Sequence, residues 1–284
     1  MKDTPGERGA QAPAAEAPRA PMEARDATLA YDERVVSEHL DVRVPDGSFT
    51  VIIGPNACGK STLLRALARL LAPSRGTVLL DGRDIATRPS RAVARRLGLL
   101  PQSPVSPEGI TVRDLVSRGR FPHQGLLRQW SAEDDAAVET AMRATGITGL
   151  AHRRVNELSG GQRQRTWLAL VLAQQTSLLL LDEPTTFLDI TYQLEVLNLC
   201  RDLHAHGRYT LVVVLHDLNL AFRYATNLIV MKGGRILAQG PPGDIVTAEL
   251  IEEVYGISCL CLPCPATGAP MIVPLDSAPR EADA

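Results

Sequence analysis

Gly54, Pro55, Asn56, Ala57, Cys58, Gly59, Lys60 and Ser61 follow one another in the spacing G-x-x-x-x-G-K-S, a set of residue types suited to a polyphosphate. Glycines let backbone N–H groups curl around phosphate oxygens, Lys60 adds a point charge, and the Ser61 hydroxyl can ligate Mg²⁺. A structural turn would need the glycines but neither the lysine nor the hydroxyl. Thr62 follows as a second, less constrained hydroxyl. Much later, Asp182 and Glu183 stand side by side directly after Leu178 to Leu181. Beside a bound nucleoside triphosphate, Asp182 would hold the metal and Glu183 would accept a hydrogen bond from the water that attacks the γ-phosphorus. A third cluster, Leu158, Ser159, Gly160, Gly161 and Gln162, precedes a long helical pattern from Arg163 to Gln174. Ser159 and Gln162 have capping-box spacing. Two glycines in a first helical turn cost about 0.5 to 1 kcal/mol each relative to alanine, so backbone that something must approach closely explains them better than the cap does.

The elements that must position these groups are legible in the apolar runs. Phe49 to Ile53 reads as a buried strand running into the glycine-rich loop, and Ser61 to Leu71 carries leucines at helical spacing. Further strands are expected at Thr77 to Leu80, Leu97 to Leu100, Leu178 to Leu181 and Leu211 to Leu215. Three of these end on polar residues: Gln102, the Asp182 and Glu183 pair, and His216. Ligands of open α/β sheets sit beyond the carboxyl ends of the strands, so these residues are expected to share a crevice with the glycine-rich loop. Between residues 103 and 165 the strand signals vanish and helical patterns replace them, notably Thr111 to Arg118 and Ser131 to Ala144. The fold class is therefore α/β with a mostly parallel central sheet and an inserted helical subdomain. No internal repeat is visible.

The chain has 284 residues, 45% hydrophobic and 22% charged, enough for one core plus a subdomain. Thirty basic against 32 acidic residues leave a net charge of -2, which gives no bulk electrostatic footprint for nucleic acid. Arg88, Arg91, Arg95 and Arg96 form one local basic stretch, expected as a solvated or partner-facing surface. The longest apolar runs, such as Trp167 to Ala173, fall well short of the roughly 18 to 20 residues a membrane span requires. Residues 1–26, rich in alanine, proline, glutamate and arginine, lack the apolar core of a secretory signal and are expected as a disordered tail on a cytoplasmic protein. An ordered domain is expected over 27–265 and a second tail over 266–284. Five cysteines do not form a disulfide framework. Cys58 is expected to fill the loop, although Lys60 and a helix N-terminus nearby would lower its thiol pKa. Cys259, Cys261 and Cys264 lack a fourth ligand at convincing spacing, and buried apolar-like thiols are favoured over a metal site.

Taken in order, the glycine-rich loop at 54–61, Gln102, the Leu158 to Gln162 cluster, Asp182 with Glu183, Leu188 with Asp189, and His216 resemble the ATP-binding cassette (ABC) ATPases over essentially residues 27–265. The resemblance implies a P-loop fold with an added antiparallel β subdomain, and a head-to-tail homodimer. Two ATP molecules would lie between the P-loop of one copy and Ser159, Gly160, Gly161 and Gln162 of the other. It further implies that Gln102 touches Mg²⁺ and senses a membrane partner, that Asp189 is the D-loop aspartate, that His216 contacts the γ-phosphate, and that the Tyr31 ring stacks on adenine. Ala57 departs from many relatives, which carry glycine there; a Cβ is costly if the loop needs positive φ. Three segments, Gly119 to Gly125, Gln164 to Ala169 and Pro184 to Ile190, resemble the ATPases of iron-siderophore importers, with haem and cobalamin importers as relatives, and are expected to touch the membrane subunit. The expected partners are transmembrane permease subunits at the cytoplasmic face of the membrane and, indirectly, a periplasmic or lipid-anchored substrate-binding protein. A non-transport ABC ATPase linked to nucleic acid is the alternative. Its repair members carry a long coiled coil between P-loop and signature, and its translation members usually carry two cassettes; neither pattern is present here.

Overall fold

Leu178 to Leu181 are all fully buried, because the strand that carries them is packed on both faces. The computed structural model describes residues 20–125, 130–186, 188–205 and 209–275. Residues 1–19 and 276–284, parts of the two expected tails, lie outside the described residues, as do 126–129 of the helical segment and Phe187.

The chain opens with β1 (Met22–Tyr31), β2 (Arg34–Val44) and β3 (Phe49–Ile53), then α1 (Lys60–Leu67), β4 (Arg75–Leu80), β5 (Arg83–Asp84), α2 (Ser90–Ala94) and β6 (Leu97–Leu100). The helices α3 (Val112–Ser117), α4 (Ala132–Ala144) and α5 (Gly160–Ala173) follow, before β7 (Leu178–Asp182), α6 (Ile190–Ala205), β8 (Thr210–Val214) and α7 (Leu218–Tyr224). The remainder is β9 (Asn227–Lys232), β10 (Arg235–Gly240), α8 (Pro242–Ile245), α9 (Ala248–Tyr255), β11 (Cys259–Pro263) and β12 (Pro270–Pro274).

Six strands form the central sheet in the order β10-β9-β3-β8-β7-β6, parallel except for the β9–β10 hairpin. Period-two alternation splits its side chains between two cores. Val51, Ile53, Leu179, Leu181 and Val213 face the helices, packing with Leu115 of α3, Met142 of α4 and Leu168 of α5. Ile52, Leu178, Leu180 and Val212 face the other way, onto Leu63, Leu64 and Leu67 of α1 and the antiparallel sheet β2-β1-β4-β5. Order begins earlier than the expected residue 27: Met22 and Ala24 are buried and pair with β2 and β4, so β1 starts at Met22. At the other end, β12 lies beyond the expected boundary at 265, with Ile272 in the core. The first helix is shorter than its leucine spacing predicts. Arg69 adopts φ 61 and Leu70 is 65% exposed, because the backbone of residues 70 and 71 turns back to bond Arg65 O.

Two stretches expected at the surface also take part in packing. In the segments expected at a membrane partner, Thr166, Leu168 and Ala169 are core residues and Gly119 and Arg120 are interior as well, while Phe121 and Ile190 are exposed. A Cβ at Gly119 would stand 2.2 Å from Leu170 O. The arginine stretch lies at the surface as expected, with Arg91 and Arg95 exposed, and it also bonds within the chain: Arg88 and Arg96 pair with Asp81, and the Nε atoms of Arg91 and Arg95 both donate to Pro122 O at 2.8 Å. No helix among the described residues is long and apolar enough to cross a membrane.

Candidate nucleotide site

Strand register aligns the site. Val214 pairs with both Ile52 and Asp182, so the chain leaves β3, β8 and β7 at one level of the sheet. Beyond that level lie the loop from Gly54, then Leu215 and His216, and Glu183. Gly54 sits at φ 152, where a Cβ would stand 2.2 Å from Met231 O, and Gly59 at φ 106 forms the N-cap of α1. Ala57 adopts φ 59, so the loop does require the left-handed conformation at the position where the sequence offers alanine.

Tyr31, Asn56, Ala57, Gly59, Lys60, Ser61, Thr62, Glu183 and His216 line one cleft of about 350 Å³, together with Arg34 and Val36. Lys60 Nζ donates to Gly54 O at 2.8 Å and Pro55 O at 2.9 Å, which holds the ammonium inside the curl of the loop. Ser61 Oγ donates to Asp182 Oδ1 at 3.0 Å. The Glu183 carboxylate is enclosed: His216 Nε2 lies 2.6 Å from Oε1, while Gln102 Nε2 at 2.6 Å and Thr186 Oγ1 at 3.1 Å donate to Oε2. Glu183 itself has φ 51.

Burial raises the Asp182 carboxyl above its usual range; the Ser61 hydrogen bond opposes this, while the neighbouring Glu183 charge reinforces it. Burial pushes Glu183 up as well, but the His216 hydrogen bond and charge, with Gln102 and Thr186, outweigh it and hold that carboxyl below its usual range. Glu183 thus carries three donors that favour its charged form, whereas the burial of Asp182 is opposed mainly by Ser61, with smaller contributions from the Arg65 and Lys60 charges. Mg²⁺ takes hard oxygen ligands, and Ser61 Oγ, on the cleft wall, with Asp182 Oδ1 bonded to it offers two of them, so these residues fit that ion. Gln102, read from sequence as a metal contact, is bonded here to Glu183. Cys58 is 5% exposed under the loop, and burial raises its thiol despite the opposing charge of Lys60, which agrees with a filler and not a reactive thiol. Cys259 is buried and Cys261 half-buried on the inner face of β11, Cys264 beyond it is half-buried, and no group of three or more His, Cys, Asp or Glu side chains that could hold a metal ion occurs among the described residues.

The signature cluster and Asp189 are absent from the cleft lining. Ser159 caps α5 in a complete capping box with Gln162, and Asp189 Oδ1 accepts from Tyr192 N at the start of α6. A Cβ at Gly161 would meet the Tyr192 ring at 3.0 Å, so this glycine answers to its own chain. At Gly160 nothing lies within 4 Å, and no described neighbour explains the absent side chain. Sequence reasoning missed three contributors. Arg65 donates to the Tyr31 hydroxyl at 3.1 Å, Arg34 lines the cleft across the tight β1–β2 turn, and Thr186 bonds Glu183. Only the last had a local signal, a hydroxyl three positions after the acid.

A triphosphate cradle at a helix N-terminus, a carboxylate beside a hydroxyl for a cation, and an ionised glutamate define a P-loop nucleoside triphosphatase. The family model described as ABC transporter matches residues 37–186. The ferric enterobactin transport ATP-binding protein FepC of Escherichia coli is 56% identical over 248 residues, covering 87% of this chain and 92% of that protein. The achromobactin transport ATP-binding protein CbrD of Dickeya dadantii is 49% identical over 250 residues, covering 88% and 93%. Among solved structures, a dimeric ATP-binding cassette in a post-hydrolysis state with ADP and phosphate superposes with a TM-score of 0.69 at 25% identity, covering 78% of this chain and 98% of that one. The chain belongs to the ABC transporter family as one of its ATP-binding, ATP-hydrolysing subunits.

Proposed function

We propose that this chain energises the import of ferric siderophores by hydrolysing ATP on the inner side of a membrane whose permease subunits are separate chains. The observation that supports it most is the high identity to two siderophore transport ATP-binding proteins along nearly their whole lengths. A substrate-binding protein on the far side would deliver the cargo. In this reading the Tyr31 ring, steadied by Arg65, stacks on adenine. Backbone N–H groups from Gly54 to Thr62 hold the phosphates, and the Lys60 ammonium exchanges its two loop carbonyls for phosphate oxygens. Ser61, Asp182 and Gln102 would hold Mg²⁺, which when bound neutralises charge on the phosphate oxygens. His216 turns to the γ-phosphate, and Glu183 takes the proton of the attacking water.

Ser159, Gly160, Gly161 and Gln162 lie outside the cleft, so the reading assigns them to the ATP of a second copy, with Asp189 in the contact between copies. The dimeric cassette of similar fold supports this arrangement. The test is uptake of a radio-iron-labelled ferric siderophore by cells lacking the chain. The wild-type protein is expected to restore uptake and Glu183→Gln to leave it absent. Uptake that is normal without the chain, or fully restored by Glu183→Gln, would overturn the reading.

A further inference from the structure

Glu183 has a contact that the reading above leaves without a task. Its Oε2 accepts from Gln102 and from Thr186, and its Oε1 faces His216. These three donors differ in how they are tethered. Gln102 lies beyond β6, 81 residues away in sequence, and His216 beyond β8. Thr186 is three residues on, in a turn closed by its own N–H donating to Glu183 O at 3.2 Å. Its hydroxyl therefore travels with the carboxylate, whatever the other two loops do. Backbone and side chain at Glu183 both need such support: the residue sits at φ 51, and a glutamate left free would regain several rotamers.

We propose that Thr186 is a positioning residue for ATP hydrolysis, its hydroxyl holding Glu183 Oε2 so that Oε1 stays aimed at the attacking water when Gln102 and His216 turn to the nucleotide. This rests on the reading of Glu183 as the proton acceptor. A hydroxyl has one proton to give, so Thr186 occupies one site on Oε2 and leaves Oε1 open. Oε1 then takes the water proton as the water oxygen bonds to the γ-phosphorus and the bond to ADP breaks. The threonine methyl restricts χ1, which keeps the donor in place.

Steady-state ATP hydrolysis by the purified full chain tests this with Thr186→Val, Thr186→Ser, Glu183→Gln and the Glu183→Gln, Thr186→Val double variant. Thr186→Val keeps the shape and loses the donor. It should lower kcat about tenfold with KM for ATP changed less than about twofold, the signature of an interaction needed only at the chemical step. Thr186→Ser should recover kcat to within about twofold of wild type, since it restores the donor. In the Glu183→Gln background, Thr186→Val should produce no further loss, because the two act as a unit. Wild-type kcat in Thr186→Val, a serine variant as impaired as valine, or an additive loss in the double variant would each overturn the assignment while Glu183→Gln keeps its own large loss of turnover. Full turnover by Glu183→Gln would instead overturn the proton-acceptor reading, and the positioning role with it. Thr186→Ala carries the same comparison if the valine variant does not fold.

Discussion

The helical region and the nucleotide cleft both bury acidic side chains, and they satisfy them in different ways. In the helical region Asp134 is fully buried against Arg120, which is 1% exposed. The guanidinium gives Nε to Asp134 Oδ1 at 2.8 Å and Nη1 to Ala173 O and Gln175 Oε1, while Ser131 N and Oγ donate to Asp134 Oδ2. Burial works against the Asp134 charge, but the Arg120 and Ser131 hydrogen bonds outweigh it and hold the carboxyl below its usual range. In the cleft, Asp182 and Glu183 are nearly as buried, at 4% and 8%, yet their partners are Ser61, Gln102, Thr186 and His216. In the proposed function most of those partners have another destination once nucleotide arrives. A buried charge kept for structure is closed off by groups with no other task; a buried charge kept for chemistry borrows donors that a ligand can take back.

That contrast is broken most severely at Glu183. Glu183→Gln removes the proposed proton acceptor and should lower ATP turnover by about 10² to 10⁴-fold while ATP still binds, measured by phosphate release beside a nucleotide titration. Turnover near wild type would mean that the cleft carboxylate is as structural as Asp134. The opposite manipulation is Arg120→Leu, which strands Asp134 in the interior. Loss of one partner of a buried pair costs about 3 to 5 kcal/mol, or a melting temperature lower by about 10 °C in a chain of this size. Turnover per folded molecule should not change. Replacing Asp134 with leucine as well should recover part of the loss. In the wild-type protein the sign is that of a carboxyl with depressed pKa: the contribution is present above the usual aspartate range near pH 4 and disappears as pH falls through the lower folded value.

The two regions were also unequally legible from sequence. Asp182, Glu183 and His216 announce themselves because each follows a short apolar run, where the sheet has to deliver it to one edge, and Lys60 and Ser61 because they close the glycine-rich spacing that follows another such run. The α/β class, the central strands and the helical run after β6 follow from the same periodicity. The Arg120 knot does not, since its partners lie 14, 53 and 55 residues away and only the fold brings them together. For that reason the Gly119 to Gly125 segment read as a contact surface, although its arginine is an interior strut. The start of β1 was hidden by composition: Met22, Ala24 and Ala27 are core residues set among charged neighbours that resemble the tail before them.

Lys60 sharpens the contrast at smaller amplitude. Its ammonium is buried on two loop carbonyls, a placement that looks structural until phosphate is available. Lys60→Ala should weaken ATP binding about 10- to 100-fold, the range expected for losing charged hydrogen bonds worth about 1.5 to 3 kcal/mol. Fluorescent nucleotide titration reads this directly. Unaltered affinity would place Lys60 with Arg120, as a cation whose partners are the chain itself.

The smallest expected effect is at Ala57, where the loop holds a Cβ in the left-handed region at φ 59. That conformation costs an L-residue roughly 1 to 2 kcal/mol, which Ala57→Gly would relieve. Glycine also enlarges the unfolded ensemble by about 0.4 to 1 kcal/mol, so the net gain should be about 0.5 kcal/mol and the melting temperature should rise by about 1 to 2 °C. ATP affinity should move less than about threefold, because the Lys60 bonds to Gly54 and Pro55 impose the loop shape before nucleotide arrives and the phosphates that replace them impose it afterwards. A destabilised glycine variant would show that the Ala57 Cβ, which lines the cleft, contributes contacts worth more than its backbone strain. The alanine would then be part of how this loop is kept formed before nucleotide arrives, a structural duty inside the functional region.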